Sequence, residues 1–401
     1  MKKVFVVAAK RSAIGSFLGT VSGVHPADLG AHVLKEMLEG VNVPVDKIDE
    51  VLVGNILPAG LGQGVARQVS IKAGIPVEVP AYGVNMVCGS GMKTVMNAYN
   101  NIKLGLHHLV VAGGVENMSM APYIVPAQSR SGFKMGDRTL TDHMIGDALT
   151  DVFNNYHMGV TAENIATKYN ITREEQDEIA IESQLRAIAA QDRGDFKEEI
   201  IPYVIKHRRG DITFDADEYI NRTTSLEKLG NLRPAFVKDG TVTAGNSSGI
   251  NDGVSFLLLA SEEMVKKLGL TPLAEVVGIG QGGVDPAYMG LGPVPAIRSA
   301  LKHSGLKLQD IDIFELNEAF AAQSLGVLRE LEAEHGVTKE YMLARTNLNG
   351  GAIALGHPVG ASGNRIIVTL IHQMIKNDKK LGLASLCIGG GMGTAIILKK
   401  V

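Results

Sequence analysis

Two cysteines and one histidine of this 401-residue sequence lie in settings that suit nucleophilic chemistry. Cys88 comes directly before a predicted helix and is followed by Gly89. A helix N-terminus presents unpaired N–H groups and the positive end of its dipole, which together stabilise a thiolate. We therefore predict a lowered pKa and a nucleophilic role for the Cys88 thiol, with a buried structural cysteine as the alternative.

His357 is the candidate base for that thiol. It lies in a run of small residues, 350–358, in which Gly356 and Pro358 flank it. Imidazole titrates near neutral pH and accepts a thiol proton. Most of the 11 histidines are expected at the surface or satisfied in the core, so the rigid setting singles His357 out.

Cys387 ends a predicted strand and enters a glycine-rich run, residues 389–393. A dinucleotide-binding loop would lead into a helix, whereas a second strand, 394–398, is predicted here. An alternative role for the glycine-rich run is to direct a backbone N–H at an oxyanion. A redox pair lacks a Cys-x-x-Cys motif, and a metal site of both cysteines and His357 lacks local ligand spacing.

Asn317 follows a predicted strand and begins the segment Asn317-Glu318-Ala319-Phe320. Its amide can hold a water molecule or donate a hydrogen bond at a site. Because asparagine also favours helix N-caps and turns, a purely local role is the alternative.

Composition narrows the class of protein. The net charge of −3 gives no sign of a nucleic-acid binder. With two cysteines and no secretory signal, a reducing cytoplasm is expected; the apolar run Val4–Ala9 is too short for a signal sequence. No apolar stretch approaches the length of a membrane span.

Short strand-like runs alternate with longer helix-like runs, which predicts an α/β fold. The strands are predicted at residues 4–8, 50–54, 109–112, 311–316, 383–387 and 394–398, and the helices at 27–38, 93–103 and 365–375. The two ends also resemble each other: residues 46–55 match 309–317 in kind, and 88–114 match 360–391. We predict a duplicated unit whose equivalent loops surround one site, chance similarity being the alternative.

Residues 118–248 differ in composition from both ends. They include a charged helix that begins with a capping box, Thr172 as N-cap and Glu175 three residues later. We predict a mostly helical insertion that acts as a lid or binding domain; a long surface excursion is the alternative. The predicted division is an N-terminal half, 1–270, which contains this insertion, and a C-terminal half, 271–401.

Taken together, these segments resemble the thiolase family along essentially the whole chain. The motifs that carry the resemblance occur in the family's order and spacing, at residues 85–91, 113–119, 317–320, 350–363 and 387–393. The resemblance implies two βαβαβαββ halves stacked in five layers, with a loop domain inserted in the first half. It also implies an enzyme that makes or breaks a carbon–carbon bond between acyl-CoA units, with no permanently bound cofactor and no metal.

The resemblance assigns a role to each catalytic residue. Cys88 is the implied acetyl carrier, His357 the base that activates it, and Cys387 the acid/base that removes the α-proton of the second acyl-CoA. The enolate oxygen would be held by His357 and a water on Asn317, and the tetrahedral intermediate by the backbone N–H groups of Cys88 and Gly389. An enolate needs such preorganised donors.

The residues implied to bind coenzyme A fall largely in the inserted region. Arg222 is expected at the nucleotide end and Phe236 at the adenine, with a surface arginine and a core phenylalanine as the alternatives. The whole implied set is His157, Met158, Arg222, Ser225, Phe236, Ala244, Ser248, Met289, Ala319 and Phe320.

His157-Met158-Gly159 resembles the short-chain members of the family, which act on acetoacetyl-CoA. Ser247 replaces a residue more common at its place, which leaves a pantetheine contact less secure. The alternatives are a thiolase for longer 3-ketoacyl chains, a non-catalytic acyl-CoA-binding protein and a thiol redox protein. A homotetramer, or a dimer, is the implied assembly.

Overall fold

The computed structural model describes residues 2–208 and 210–401. Its strands are β1 (Val4–Arg11), β2 (Gly15–Ser16), β3 (Glu50–Gly54), β4 (Ala81–Val84), β5 (Leu109–Asn117), β6 (Tyr123–Ile124), β7 (Thr141–Asp142), β8 (Thr150–Asp151), β9 (Tyr156–His157), β10 (Tyr203–Ile205), β11 (Ile212–Phe214), β12 (Asn251–Ser261), β13 (Ala274–Gly283), β14 (Ile313–Leu316), β15 (Leu381–Ile388) and β16 (Met392–Lys400). Its α-helices are α1 (Pro26–Gly40), α2 (Val65–Lys72), α3 (Ser90–Leu104), α4 (Met158–Tyr169), α5 (Arg173–Arg193), α6 (Leu226–Gly230), α7 (Glu262–Leu268), α8 (Pro293–Ser304), α9 (Ala321–His335), α10 (Lys339–Leu343), α11 (Ala352–Leu355) and α12 (Val359–Lys376).

The chain folds into two halves of matching topology. In the first half the strand order is β4-β3-β5-β12-β1, and in the second it is β14-β15-β16-β13, with a parallel bridge from Phe314 to Thr346 in the place of β4. The halves join edge to edge, where β1 pairs with β13 only through Phe5–Glu275 and Val6–Ala274. The predicted duplication is therefore present in the tertiary structure.

Equivalent aspartates show the repeat at the level of single hydrogen bonds. The Asp49 carboxylate accepts from the backbone N–H of Leu109 at 2.9 Å, at the start of β5. The Asp312 carboxylate accepts from the N–H of Leu381, also at 2.9 Å, at the start of β15. Each aspartate comes just before a strand, β3 or β14. Each one binds the first residue of the strand that pairs in parallel with it, β5 or β15.

Five layers follow from which faces are buried. Helices α1 and α2 cover the outer face of the first half, and α8 and α9 cover that of the second. Helices α3 and α12 lie between the halves and share one apolar core with the inner strand faces. Strand residues alternate accordingly, because successive side chains point to opposite faces: Val51 and Val53 pack outward and Leu52 inward.

Helix α12 begins earlier than predicted. Gly360, Ala361 and Gly363 were expected before the helix, but they form its first turns. A Cβ on Gly360 would lie 2.4 Å from the Glu116 carboxylate, and one on Gly363 would lie 2.6 Å from the backbone of Met92 on α3. Small residues are thus needed where the two central helices and β5 approach closely.

The insertion lies between β5 and β12, as the sequence predicts. Helix α5 begins with the predicted capping box, since Thr172 and Glu175 each accept from the other's backbone N–H. Outside α4, α5 and α6, however, the insertion consists of irregular segments, strands of two or three residues and single 3-10 or π-helical turns of at most five residues. The prediction of a mostly helical insertion is therefore wrong. We propose residues 270 and 271, between β12 and β13, as the boundary of the two halves.

Candidate active site

One cavity of about 460 Å³ lies where the insertion meets the loops of both halves. Of the predicted catalytic residues, it is lined by Cys88, His357, Cys387 and Gly389. Of the predicted binding residues, it is lined by His157, Met158, Phe236, Ala244, Ser248, Met289, Ala319 and Phe320. The tertiary structure therefore brings most of the predicted site together, with one thiol from each half.

A strained turn presents Cys88. Val87 has a φ of 45°, which is unusual for a β-branched residue and costs about 1–3 kcal/mol. The turn is held by the Asn85 amide oxygen, which accepts from the Val87 N–H at 3.1 Å. The Ser90 hydroxyl accepts from the Met86 N–H at 2.8 Å and donates to the Val87 carbonyl at 2.6 Å.

We expect Ser90→Ala to destabilise the protein by about 1–3 kcal/mol, because it leaves buried backbone groups without a hydrogen-bond partner. We also expect it to slow the uptake of an acyl group by Cys88 at least about tenfold, because misplacing a reacting atom by about 1 Å can lower a rate by about 10²-fold. Urea denaturation and stopped-flow acylation measure the two effects. Ser70→Ala is the matched control, because the Ser70 hydroxyl is buried and has no hydrogen-bond partner within the described residues. Equal acylation rates in the two variants would contradict the role given to Ser90.

The environment of Cys88 corrects one prediction. Burial raises the pKa of its thiol to about 11, although the backbone N–H groups of Gly389 and of Cys88 itself act in the opposite direction. The expected lowering by the helix N-terminus is thus wrong, because the desolvation of a buried thiolate outweighs it. Cys88 is a protonated thiol at neutral pH and needs a base at the moment of attack.

His357 is oriented as such a base. Its Nδ1 lies 2.6 Å from the hydroxyl of Ser362, which lies 3.0 Å from the Pro358 carbonyl. Because the serine hydroxyl uses its hydrogen to donate to that carbonyl, the proton between the serine oxygen and the ring must be on Nδ1. Nε2 is then unprotonated; it is buried, with no protein partner in the described part of the chain.

Two further effects keep the His357 ring neutral and in place. Burial, with the positive charge of Arg365, lowers the pKa of His357 to about 4. The backbone N–H of His357 donates to the Asn251 amide oxygen at 2.9 Å and so fixes the position from which the ring projects. Asn251 and Ser362 were not identified from the sequence. For Ser362 the available signal was a hydroxyl about one helical turn beyond His357. For Asn251 the sequence offers no local signal, because it lies 106 residues away.

Cys387 is the penultimate residue of β15 and lines the same cavity as Cys88. Burial and the neighbouring Cys88 raise the pKa of its thiol above the ordinary value. Cys387 pairs with Gly393 in the hairpin of β15 and β16, whose turn uses the left-handed glycines Gly390 and Gly391. The glycine-rich run is therefore a hairpin turn, as the strand predicted after it requires.

Asn317 does not line the cavity. Its backbone N–H donates to the Ser385 carbonyl at 3.0 Å, which holds it beside β15. Its side-chain amide is buried, and neither amide atom finds a partner among residues 2–208 and 210–401. A buried amide of this kind suits a water ligand, so the role in holding the enolate oxygen stays a prediction.

A buried carboxylate joins the loops of the two halves. Glu116, at the end of β5, accepts from the backbone N–H groups of Ile56, Leu57 and Gly360 at 2.9 to 3.1 Å. Burial raises the pKa of Glu116 to about 7, against the effect of these donors. Glu116 thereby fixes the first turn of α12, which follows His357, to the half that carries Cys88. The sequence marked this segment as a motif but did not reveal that function.

The short-chain signature has a packing explanation. His157 stacks on Phe236 with ring centroids 4.7 Å apart, and Phe236 meets the edge of Phe320 at 6.0 Å. A Cβ on Gly159 would lie 2.2 Å from the Phe236 ring, so a glycine is needed there. Phe236 was expected at the adenine; it lines instead the cavity that also holds both thiols.

Arg222 and Ser225 lie outside this cavity. The Arg222 guanidinium is exposed and donates to Asp192 and to Gln191, both at 2.7 Å. Ser225 caps α6 by accepting from the Lys228 N–H at 3.2 Å. The structure therefore does not group these two residues with the other predicted binding residues.

Between residues 2 and 401, Arg209 apart, no three His, Cys, Asp or Glu side chains gather in a way that could hold a metal ion. Over the same residues, no helix combines the length and apolar character needed to cross a membrane.

Comparisons with known proteins agree with this geometry. Residues 4–263 match the family model "Thiolase, N-terminal domain", and residues 270–400 match "Thiolase, C-terminal domain". Acetyl-CoA acetyltransferase from Pseudomonas aeruginosa is 51% identical over 401 residues, all of both chains.

Solved structures show the same relationship. Acetyl-CoA acetyltransferase from Syntrophomonas wolfei matches with a TM-score of 0.97 and 43% identity over all of both chains. Human mitochondrial 3-ketoacyl-CoA thiolase matches with a TM-score of 0.94 and 43% identity, over all of this chain and 99% of the other. The chain belongs to the thiolase family.

Proposed function

We propose that this chain is an acetyl-CoA C-acetyltransferase, which joins two acetyl-CoA molecules to acetoacetyl-CoA and CoA, reversibly, through an acetyl group on Cys88. The observation that carries the proposal is the shared cavity, which is lined by thiols from opposite halves together with His357, whose Nε2 is unprotonated, and Gly389, whose backbone N–H is directed at the Cys88 sulfur. Relatives that carry this activity in their name, at 51% identity over the whole chain, support it.

In the first half-reaction, His357 Nε2 takes the Cys88 proton while the sulfur attacks the thioester carbonyl carbon. The oxyanion of the tetrahedral intermediate accepts hydrogen bonds from the N–H groups of Cys88 and Gly389, the two donors that face the Cys88 sulfur. The intermediate collapses, the C–S bond to CoA breaks, and His357 returns the proton to the leaving thiolate. The products are acetyl-Cys88 and CoA.

In the second half-reaction, the Nε2 of His357, free again, takes the Cys387 proton, and the resulting Cys387 thiolate takes an α-proton from a second acetyl-CoA. The raised pKa of Cys387 makes this thiolate a correspondingly strong base. The enolate carbon attacks the acetyl carbonyl on Cys88, a C–C bond forms, and the C–S bond to Cys88 breaks. His357 then returns its proton to the Cys88 thiolate, and Cys387 keeps the α-proton, so both thiols and the imidazole return to their initial states.

Intact-protein mass spectrometry after mixing with acetyl-CoA is the decisive experiment. We expect a gain of one acetyl group per chain, together with release of free CoA and, at longer times, formation of acetoacetyl-CoA. A protein that binds acetyl-CoA but gains no mass would instead be a non-catalytic acyl-CoA-binding protein. Disulfide formation between Cys88 and Cys387 on mild oxidation, without acetylation, would indicate a redox protein.

A 3-ketoacyl-CoA thiolase for longer chains is the second candidate function. The likeness to human mitochondrial 3-ketoacyl-CoA thiolase favours it, because that structure matches nearly as well as the acetyltransferase from S. wolfei. The ratio of kcat/KM for acetoacetyl-CoA to that for a long-chain 3-ketoacyl-CoA separates the two. We expect the ratio to favour acetoacetyl-CoA strongly.

We propose that CoA extends from the catalytic cavity towards α6. A second cavity of about 580 Å³ shares Tyr219 and Ala244 with the first and reaches Lys228, in the middle of α6. Arg222 and Ser225 lie on the loop before that helix. We retain them as contacts of the nucleotide end, which requires Arg222 to exchange Asp192 for the anionic ligand.

For Arg222→Ala we expect a KM for CoA substrates raised several-fold, with a smaller effect on kcat, because a remote charge contact binds ground and transition states alike. Steady-state kinetics at low and high salt check this, since screening weakens an exposed charge contact. Arg193→Ala serves as control, because Arg193, the last residue of α5, is likewise a half-exposed arginine paired with a carboxylate, that of Asp195. An unchanged KM in Arg222→Ala would remove Arg222 from the binding site.

We further propose a homotetramer in the cytoplasm. Exposed apolar side chains in the insertion support an assembly surface: Tyr123, Val125, Phe133, Met135, Leu140, Val152 and Phe153. Met135 is 91% exposed and Phe153 is 70% exposed. Large exposed apolar patches are rare on monomeric proteins and often mark sites of protein–protein contact. Light scattering measures the size of the assembly.

A further inference from the structure

The catalytic cavity is bounded by two apolar clusters, and each contains one of the two thiols. The cluster around Cys387 comprises residues of α4, the 286–291 turn and the start of α9, among them Met158, Met289 and Phe320. The cluster around Cys88 comprises Ile56, Leu57, Met118, Met144, Ala148 and Val359, with Cys88 and Leu149 packed against it. An acyl group attached to the Cys88 sulfur therefore lies beside the second cluster.

Only part of the Cys88 cluster faces the cavity. Met118, Ala148, Leu149 and Val359 line it. Met144 belongs to the same cluster and is buried, but it is not part of the cavity wall. Ile250, which packs against the cluster just before β12, also lines the cavity. The wall beyond Cys88 is thus made by side chains from the start of α12, from the segment before β12 and from the insertion.

Two of the residues from the insertion are held in an unusual backbone. Residues Ile145–Leu149 form a single π-helical turn, whose last two residues are Ala148 and Leu149. Such turns are rare and occur frequently at functional sites. Here the wider turn places two consecutive side chains, Ala148 and Leu149, at the same cavity.

We propose that Met118 and Leu149 are specificity-determining residues, which limit the length of the acyl group carried on Cys88. This inference rests on the proposed function, because it needs an acyl-Cys88 intermediate. Each added methylene of the acyl group must occupy space that these two side chains now fill. The small side chain of Ala148 leaves space for a short acyl group. The larger side chains of Met118 and Leu149 limit that space and exclude a longer acyl group.

The test compares thiolytic cleavage of acetoacetyl-CoA and 3-ketohexanoyl-CoA, which leave an acetyl and a butyryl group on Cys88. In Met118→Ala we expect the ratio of kcat/KM, 3-ketohexanoyl-CoA over acetoacetyl-CoA, to rise by about tenfold or more, since one methylene in an apolar pocket changes selectivity by about 10–200-fold. Met144→Ala is the matched control. It removes the same side chain from the same cluster without opening the cavity, so its ratio should equal that of the wild type.

Leu149→Ala provides a second test, because Leu149 is only half-buried and its truncation disturbs the core less than that of Met118. We expect a rise in the same ratio. Equal ratios in Met118→Ala and Met144→Ala, or an unchanged ratio in Leu149→Ala, would overturn the inference. A wild-type protein that forms no acyl-Cys88 would instead contradict the proposed function, so the two failures are distinguishable.

Discussion

Cys387→Ser should still take up one acetyl group on Cys88, while condensation and exchange of the acetyl-CoA α-protons fall by about 10²–10⁴-fold. The first half-reaction uses the Cys88 sulfur, His357 and the Gly389 backbone, and none of these groups is changed. The second half-reaction needs a base at the α-carbon, and a serine hydroxyl is a far weaker base than a thiolate. The substitution also nearly preserves the size of a buried side chain that is 1% exposed.

The measurement separates the two steps in one sample. Peptide mapping after brief exposure to acetyl-CoA locates the acetyl group, and mass spectrometry of acetyl-CoA in deuterated water reports α-proton exchange. Cys88→Ser is the control, because it should lose acetylation itself and keep the Cys387 thiol. Exchange at the wild-type rate in Cys387→Ser, or a label on Cys387 with Cys88 free, would show that the two roles are assigned wrongly.

His357→Ala should lower the rate of Cys88 acetylation by about 10²–10⁴-fold, the range for a positioned acid/base group. Burial raises the pKa of the Cys88 thiol to about 11, so very little thiolate exists at neutral pH without a base. His372→Ala on the same helix α12 is the control. His372 lies 3.0 Å from the Ala9 carbonyl, and its loss should affect stability without slowing acetylation.

The pH dependence of wild-type acetylation gives an independent check on His357. The reactive form contains neutral His357 and protonated Cys88. With a pKa of about 4 for His357 and about 11 for Cys88, that form predominates between these limits. The single-turnover rate should therefore be flat across neutral pH and fall only as the pH approaches 4, where His357 gains a proton. An inflection near the ordinary histidine pKa of about 6.5 would show that the buried ring is not held neutral.

The sequence by itself singled out residues that the fold brings to one cavity. Cys88, His357, Cys387 and Gly389 lie in short segments rich in glycine and other small residues, and such segments mark close backbone approach wherever they occur. The duplication was also readable, because residues 46–55 and 309–317 repeat the same turn and strand. These features depend on residues that are near one another in the chain, so local rules suffice to find them.

The tertiary structure decided how those residues behave. The pKa of Cys88 rises where the local helix argument predicted a fall, because burial depends on cover from the insertion and the opposite half, which the segment around Cys88 does not contain. The clamp from Glu116 to Gly360 spans 244 residues, and that from His357 to Asn251 spans 106. A surface arginine was the alternative considered for Arg222, but its pairing with Asp192 was equally invisible from its motif.

The physical reason is the range of each interaction. Helix capping, turn geometry and strand alternation are set by neighbours within a few residues, and the sequence specified them. Desolvation, electrostatic coupling between the two thiols and the shape of the cavity beside Cys88 depend on atoms from both halves and the insertion. Those atoms meet only after the chain has folded, so they were decided by packing and not by any local pattern.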